Sequence, residues 1–224
     1  MICLSGKKRS GKDTAANFMK THGYKTYALA DPIKRALFTA FKKSCYEGVV
    51  TMNMLNGIDY DREQSMQLTI GEVRDVLIEA VFYTFKDAGY SYDFQCSTLD
   101  KIVLMLNDIE NPSEFSIRKF MQVFGTDIIC NMVSQNHWLM LADLKAPVDA
   151  IITDCRQPWE EKWYRDRNAT FVFIEGAYSE YVESSDTHIT ELGLTPKDGD
   201  IVIKNVTLEQ LKEDVECLLN KLKN

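Results

Sequence analysis

Net positive charge is missing from this chain: 26 Lys and Arg stand against 33 Asp and Glu, a balance of −7. Proteins that grip a nucleic-acid backbone are normally basic, so no nucleic-acid partner is expected. Any anionic ligand must then be held by a local cluster of cations, which makes the place of each Lys and Arg informative. Also missing is an apolar run of about 18 residues, and the N-terminus turns polar by Ser5. Neither a membrane span nor a signal peptide is expected. The six cysteines (Cys3, Cys45, Cys96, Cys130, Cys155 and Cys217) contain no C-x-x-C pair. Their wide spacing fits neither a zinc site nor a dense disulfide framework, and reduced thiols in a cytoplasmic protein are expected. Internal repeats and low-complexity linkers are absent as well.

What is present is ordinary globular composition, 45% hydrophobic and 26% charged, in 224 residues. That length buries a full core, and one domain over 1–224 is expected. Short apolar runs at 1–4, 25–29, 150–153, 170–174 and 201–203 read as strands. Helical spacing covers 13–21, 69–86, 99–109, 117–144 with an interruption around Gly125, and 208–222. Asp31-Pro32 reads as an N-cap followed by Pro at the first helical position, opening a helix through 43. The stretch 44–64 is polar and aromatic, shows little periodicity, and reads as a mobile or substrate-covering region. Strands alternating with helices predict an α/β fold with a doubly wound parallel sheet.

Gly6-Lys7-Lys8-Arg9-Ser10-Gly11-Lys12-Asp13 fits G-x-x-x-x-G-K between an apolar strand and a helix. The spacing has a chemical reason. Glycines let the backbone wrap closely around phosphate oxygens, so that N–H groups point inward at the positive end of a helix. Lys12 then reaches the β- and γ-phosphates of a nucleoside triphosphate. One position departs from the pattern. Asp13 stands where Ser or Thr usually ligates Mg²⁺, and Thr14 lies about 100° further round the helix, so it does not simply substitute. Asp13 either holds Mg²⁺, directly or through water, or caps the helix; the sequence leaves both open.

A phosphate loop is shared by kinases and hydrolytic switches. A kinase of small phosphates needs further cations to bring two anions together in line. Lys8, Arg9, Lys34, Arg118 and Arg156 are the candidates. Arg156 is the most informative, because Ile151-Ile152-Thr153-Asp154-Cys155-Arg156-Gln157 is an apolar strand ending in an acid and an arginine. Ligands of open α/β sheets bind at the carboxyl ends of strands. Asp154 can organise Mg²⁺ through water or hold a cation, while Arg156 faces phosphate. Arg118 and Gln122 are four apart and share a helix face.

GKKRSGKDT, ADPIK, GIDYDRE, IRKFMQVFGTDI, TDCRQ and DTHITELGL with DGD-IVI-N behind it follow one another along nearly the whole chain. With these motifs the sequence resembles the deoxynucleoside monophosphate kinases of T-even and related tailed phages, which share the Asp13 departure. The resemblance implies a P-loop nucleoside monophosphate kinase fold with a helical acceptor-binding region near 44–145 and a lid-like segment at 178–199. It implies transfer of the γ-phosphoryl of ATP, with Mg²⁺, to a deoxynucleoside monophosphate (dGMP, dTMP and a modified dCMP in the T-even case), and a homodimer.

Carried over residue by residue, Gly6, Arg9, Ser10, Gly11, Lys12, Asp13 and Thr14 would hold ATP, with Asn205 and Val206 where adenine rests. Lys34, Arg118 and Arg156 would surround the acceptor phosphate. Arg62 and Trp138 would sandwich its base, since a guanidinium and an indole both stack on any base face. Lys8, Ile33, Gln122, Gly125, Thr126, Asp154 and Gln157 belong with the acceptor. The lid-like segment includes His188 and Glu191 but no arginine, so Arg165, Arg167 or Arg9 would have to serve there. The rival expectations are another P-loop small-molecule kinase, of the phosphomevalonate or dephospho-coenzyme A kinase kind, and a non-catalytic nucleotide-binding protein.

Overall fold

A computed structural model describes residues 1–7, 10–44, 49–176 and 193–223. The expected strand runs all form strands: β1 (Ile2–Ser5), β2 (Thr26–Tyr27), β3 (Ile151–Ile152), β4 (Thr170–Gly176) and β5 (Ile201–Asn205). They make one sheet in the order β2-β3-β1-β4-β5, and every neighbouring pair is parallel. The helices described are α1 (Lys12–Thr21), α2 (Ala30–Lys43), α3 (Met52–Asn56), α4 (Ile70–Ala88), α5 (Tyr92–Asn107), α6 (Ile117–Gln122), α7 (His137–Lys145), α8 (Pro158–Arg165) and α9 (Leu208–Lys223). A π-helix, Val123–Val133, continues α6.

The chain divides into two compact units, Met1–Leu29 with Leu139–Asn224, and Ala30–Trp138. The first holds the sheet. Alternation along its strands sends Ile2, Leu4, Val172, Ile174 and Ile203 to one face, where Ala15, Ala16 and Met19 of α1 and Leu211, Val215 and Leu218 of α9 cover them. Cys3, Tyr27, Ile152, Phe171 and Phe173 face the other way, against Leu139 and Ala142 of α7 and Tyr164 of α8. Both faces are therefore dry, which is why the strands are apolar throughout. Each fully buried Leu, Ile or Phe contributes roughly 1.5–3 kcal/mol. Burial pushes the Cys3 thiol up to about 12 and the Cys155 thiol up as well, so both stay neutral.

The second unit is helical. Thr69 caps α4 by accepting from Glu72 N, while the Glu72 carboxylate accepts from Thr69 N at 2.7 Å, and Gly89 ends the helix in the left-handed region. α2 packs along α4 and buries Ala36, Leu37, Ala40 and Phe41. Phe41 meets Phe120 edge to face at 5.2 Å between ring centroids, and Phe115 meets Phe120 at 4.9 Å.

Several boundaries differ from those read in the sequence. α2 opens at Ala30, so Asp31 is not its N-cap; it lies in the first turn, paired with Lys34 one turn on. This helix belongs to the second compact unit, Ala30–Trp138. The stretch 44–64 contains α3, capped by Thr51 and closed by Gly57. α5 begins at Tyr92 behind a Ser91 cap, earlier than its apolar spacing shows, because its first turn is largely exposed. The chain does not break at Gly125. It passes into the π-helix at Val123, and the interruption falls at 134–136. α8 was not expected, although Gln157-Pro158 followed by Glu160 is a helix-start signal. Among the described residues, no helix is long and apolar enough to cross a membrane.

Candidate active site

In the sheet unit, β1 ends at Ser5, whose hydroxyl donates to Cys155 O at 3.1 Å. Ser10 N donates to Lys7 O, and Gly11 (φ +94°) starts α1 from the left-handed region. Glycine is required at both ends of the loop. A Cβ at Gly6 would lie 2.5 Å from Ile174 O, and one at Gly11 would overlap the Asn205 side-chain amide. Among the described residues no side chain caps the head of α1, so its first N–H groups are open to an anion. The hydroxyl of Ser10, a residue 1% exposed, also makes no hydrogen bond among them. Lys12 is buried along its stem, with Nζ 2.9 Å from Asp13 Oδ1. Thr14 follows on the first turn. Lys8 and Arg9 lie outside the described residues, as do His188, Glu191 and most of 178–199.

Asp13 thus faces the loop's own lysine. Its carboxylate is 91% exposed at the head of α1. One hard oxygen donor there suits Mg²⁺, which takes few protein carboxylates and keeps phosphate oxygens and waters. Among the described residues, no group of three or more His, Cys, Asp or Glu could hold a metal.

At the end of β3, Asp154 Oδ1 accepts from Leu29 N at 2.6 Å and ties the exits of β2 and β3 together. The backbone N–H groups of Arg156 and Gln157 both donate to Glu160 Oε2, at 2.7 and 3.0 Å. One carboxylate therefore shapes the turn that presents Arg156. Burial pushes the Glu160 carboxyl up to about 7, against the pull of those two N–H groups. Sequence reasoning missed Glu160; its only signal was the helix start at Gln157-Pro158.

Two of the cations offered for the lid are engaged elsewhere. Arg165 makes a bidentate pair with Asp200 at 2.9 and 2.6 Å, bonds Glu161 at 2.7 Å and lies over the Phe171 ring. Burial would raise the Asp200 carboxyl, but Arg165 and the Lys197 N–H outweigh it and hold that carboxyl below its usual range. Arg167 stacks on Trp163 and stands 3.7 Å from Asp143. Both serve the packing of α8. These are the contacts they make here; Arg9 is outside the described residues.

In the helical unit, the chain around Arg62 runs beside the start of α6. Arg118 N donates to Arg62 O at 2.9 Å, Ser65 bridges Ser116, and Arg118 Nε lies 3.9 Å from Glu63. Arg62 and Arg118 are thereby neighbours, with Gln122 and Thr126 one and two turns on, both largely buried. The Arg62 side chain lies against Gly57, where a Cβ would come 2.9 Å from its Nε. Lys34 Nζ is 3.3 Å from Asp31. A second group joins Ile33, Gly125 and Trp138: a Cβ on Gly125 would stand 2.7 Å from Ile33 Cδ1, and Trp138 Nε1 donates to Gly125 O at 2.8 Å. Trp138 is only 4% exposed, edge-on to Phe124 and His137. A base can stack on it only after its covering groups move aside.

With this geometry in view, comparison with known proteins is decisive. The family model described as deoxynucleotide monophosphate kinase matches residues 1–215. This chain belongs to the deoxynucleotide monophosphate kinase family. Two relatives carry that same name. The one from Enterobacteria phage T4 is 36% identical over 247 aligned positions, covering 100% of this chain and 97% of the relative. The one from Escherichia phage RB69 is 32% identical over 248, covering 98% and 99%. As a member of this family, the protein is a phosphotransferase, and its parallel sheet with a phosphate loop after β1 is the fold of P-loop kinases.

Proposed function

We propose that the protein moves the γ-phosphoryl of ATP onto a deoxynucleoside 5′-monophosphate, giving ADP and the deoxynucleoside diphosphate. The observation that carries this reading is the head of α1, capped by no side chain among the described residues, behind a glycine-bounded loop with Lys12, in a chain that matches a kinase family along its length.

The backbone of Gly6, Ser10, Gly11, Lys12, Asp13 and Thr14 cradles the donor phosphates, and the Lys12 ammonium follows the charge of the γ-phosphoryl. ATP binding separates Lys12 from Asp13. Asp13 would then hold Mg²⁺ beside the ATP phosphates, where the ion supplies charge neutralisation. Lys34 and Arg118 grip the acceptor phosphate, and Arg156 stabilises the transferring group. Arg62 stacks on the acceptor base, with Trp138 as its partner once uncovered; Ile33, Gln122, Gly125 and Thr126 shape that pocket. Asp154 and Gln157 hold the strand end from which Arg156 projects. A monophosphate is already an anionic nucleophile, so transfer is direct and in line, and positioning with charge stabilisation does the chemistry. We extend the proposal to a homodimer.

ADP release measured by a coupled assay with Mg·ATP and each common dNMP and NMP tests the reading. Stimulation by deoxynucleoside monophosphates is expected. If no monophosphate stimulates release while Mg·ATP still binds, the kinase assignment to these residues fails. Sedimentation equilibrium tests the dimer, and a monomer at assay concentration removes it.

A further inference from the structure

The loop that cradles the donor phosphates is held from outside by a residue far away in sequence. Asn205, the last residue of β5, donates from Nδ2 to Ser10 O at 2.9 Å. We infer that Asn205 is a positioning residue for ATP, setting the orientation of the Ser10–Gly11 peptide. This deepens the functional reading above and rests on it.

The physical argument is one of peptide geometry. No cis bond is present among the described residues, so the C=O of Ser10 and the N–H of Gly11 point in opposite directions from one plane. Holding the carbonyl toward Asn205 turns the Gly11 N–H to the opposite side. A Gly at φ +94° is the joint in a phosphate loop most able to flip, since nothing in its own chemistry favours one peptide orientation. The clamp itself is firmly mounted, because Asn205 pairs with Gly176 of β4 in the sheet. β4 holds the loop's other end, where Gly6 passes too close to Ile174 O for any side chain. Gly11 and Asn205 are also matched in size, since a Cβ on Gly11 would overlap the amide that makes the bond.

Removing the clamp leaves a loop that must be ordered when ATP binds, so the cost appears in ATP affinity and not in the acceptor's. The loss of one hydrogen bond predicts roughly three- to tenfold weaker binding for Asn205→Ala. Asn205→Asp should be worse, because a carboxylate would face the Ser10 carbonyl and repel phosphate.

The experiment measures the Kd of Mg·ATP by calorimetry, KM for ATP and for dTMP, and Tm. It uses the wild type, Lys12→Ala, Asn205→Ala, Asn205→Asp, Gly11→Ala and the Gly11→Ala/Asn205→Ala double variant. Weaker ATP binding with KM for dTMP unchanged is expected, together with a double variant less impaired than the sum of its singles. Additive effects, equal losses for ATP and dTMP, or unchanged ATP affinity would overturn the role. Asn205→Ser must repeat the selective loss if Asn205→Ala does not fold. If the wild type binds no Mg·ATP, or Lys12→Ala binds it equally well, the loop reading itself falls. With the wild type binding and Lys12→Ala not, a wild-type-like Asn205→Ala removes the positioning role alone.

Discussion

Replacing Glu160 with Gln should abolish a pH dependence of folding that the turn at 156–160 builds into the sheet unit. The Glu160 carboxyl is moved from 4.5 to about 7, first by burial and further by Asp154, while the N–H groups of Arg156 and Gln157 and the Arg156 charge oppose the shift. At about 1.4 kcal/mol per pH unit, that is worth about 3 kcal/mol. The sign follows from proton counting. Between about 4.5 and 7 the folded state keeps the proton that the unfolded chain has already lost. Stability therefore falls as pH rises through that window and is flat, for this group, on either side. In the Glu160→Gln variant the amide oxygen would still accept both backbone N–H bonds without a charge to desolvate. The shift to about 7 is already net of those two N–H bonds, so the variant should gain about 3 kcal/mol at about pH 8. Near pH 4.5 the two proteins should agree within about 0.5 kcal/mol. Urea unfolding followed by the fluorescence of Trp159 and Trp163, which pack against this unit's core, reads the difference directly. Parallel stability curves for the two proteins across the whole range would refute the reasoning. Glu160→Ala should in contrast lower kcat, because the turn that presents Arg156 loses its acceptor.

Arg62→Ala should raise KM for deoxynucleoside monophosphates roughly tenfold or more, the usual worth of one stacked base, and leave KM for ATP in place; steady-state kinetics with each substrate varied decides it. Gly125→Ala drives a methyl into Ile33 and should cost about 1–3 kcal/mol by overpacking, with Ile33→Ala in the same chain restoring part of the loss in denaturant midpoint. Asp13→Asn keeps the size of the side chain and removes its charge. If Asp13 holds Mg²⁺, the metal concentration for half-maximal activity should rise several-fold, by roughly 1 kcal/mol or more for a lost ion contact; an unchanged metal titration would return Asp13 to the role of partner for Lys12.

The parts of this protein legible in its sequence are those governed by near neighbours. Ile2 to Leu4 and Ile151 to Ile152 were readable as strands because a buried parallel strand must be apolar on both faces. The loop from Gly6 to Lys12 was readable because close approach to phosphate admits only particular residues at particular spacing. Helix starts were less legible. Ala30 opens a helix one residue before the Asp that would ordinarily cap it, and the start of α8 at Pro158 went unread although its local signal was present. The base-stacking role proposed for Trp138 rests on the resemblance to the family, and its burial against Phe124 and Gly125 could not be seen in the chain alone.

By itself, then, the sequence determined the chemistry this protein has available: an acidic chain with a phosphate loop, an Asp-x-Arg strand end, and cations at Lys34, Arg62 and Arg118. Tertiary structure alone decided which of these groups are committed and to what. Asp154 reaches Leu29, Arg165 is bound to Asp200, Arg62 lies beside Arg118, and Asn205 steadies the peptide after Ser10. The physical reason is separation along the chain. A cap or an amphipathic stripe is decided within a turn or two, whereas the Asn205 amide meets a carbonyl 195 residues away only once the sheet has set β5 against β4 and β4 against β1.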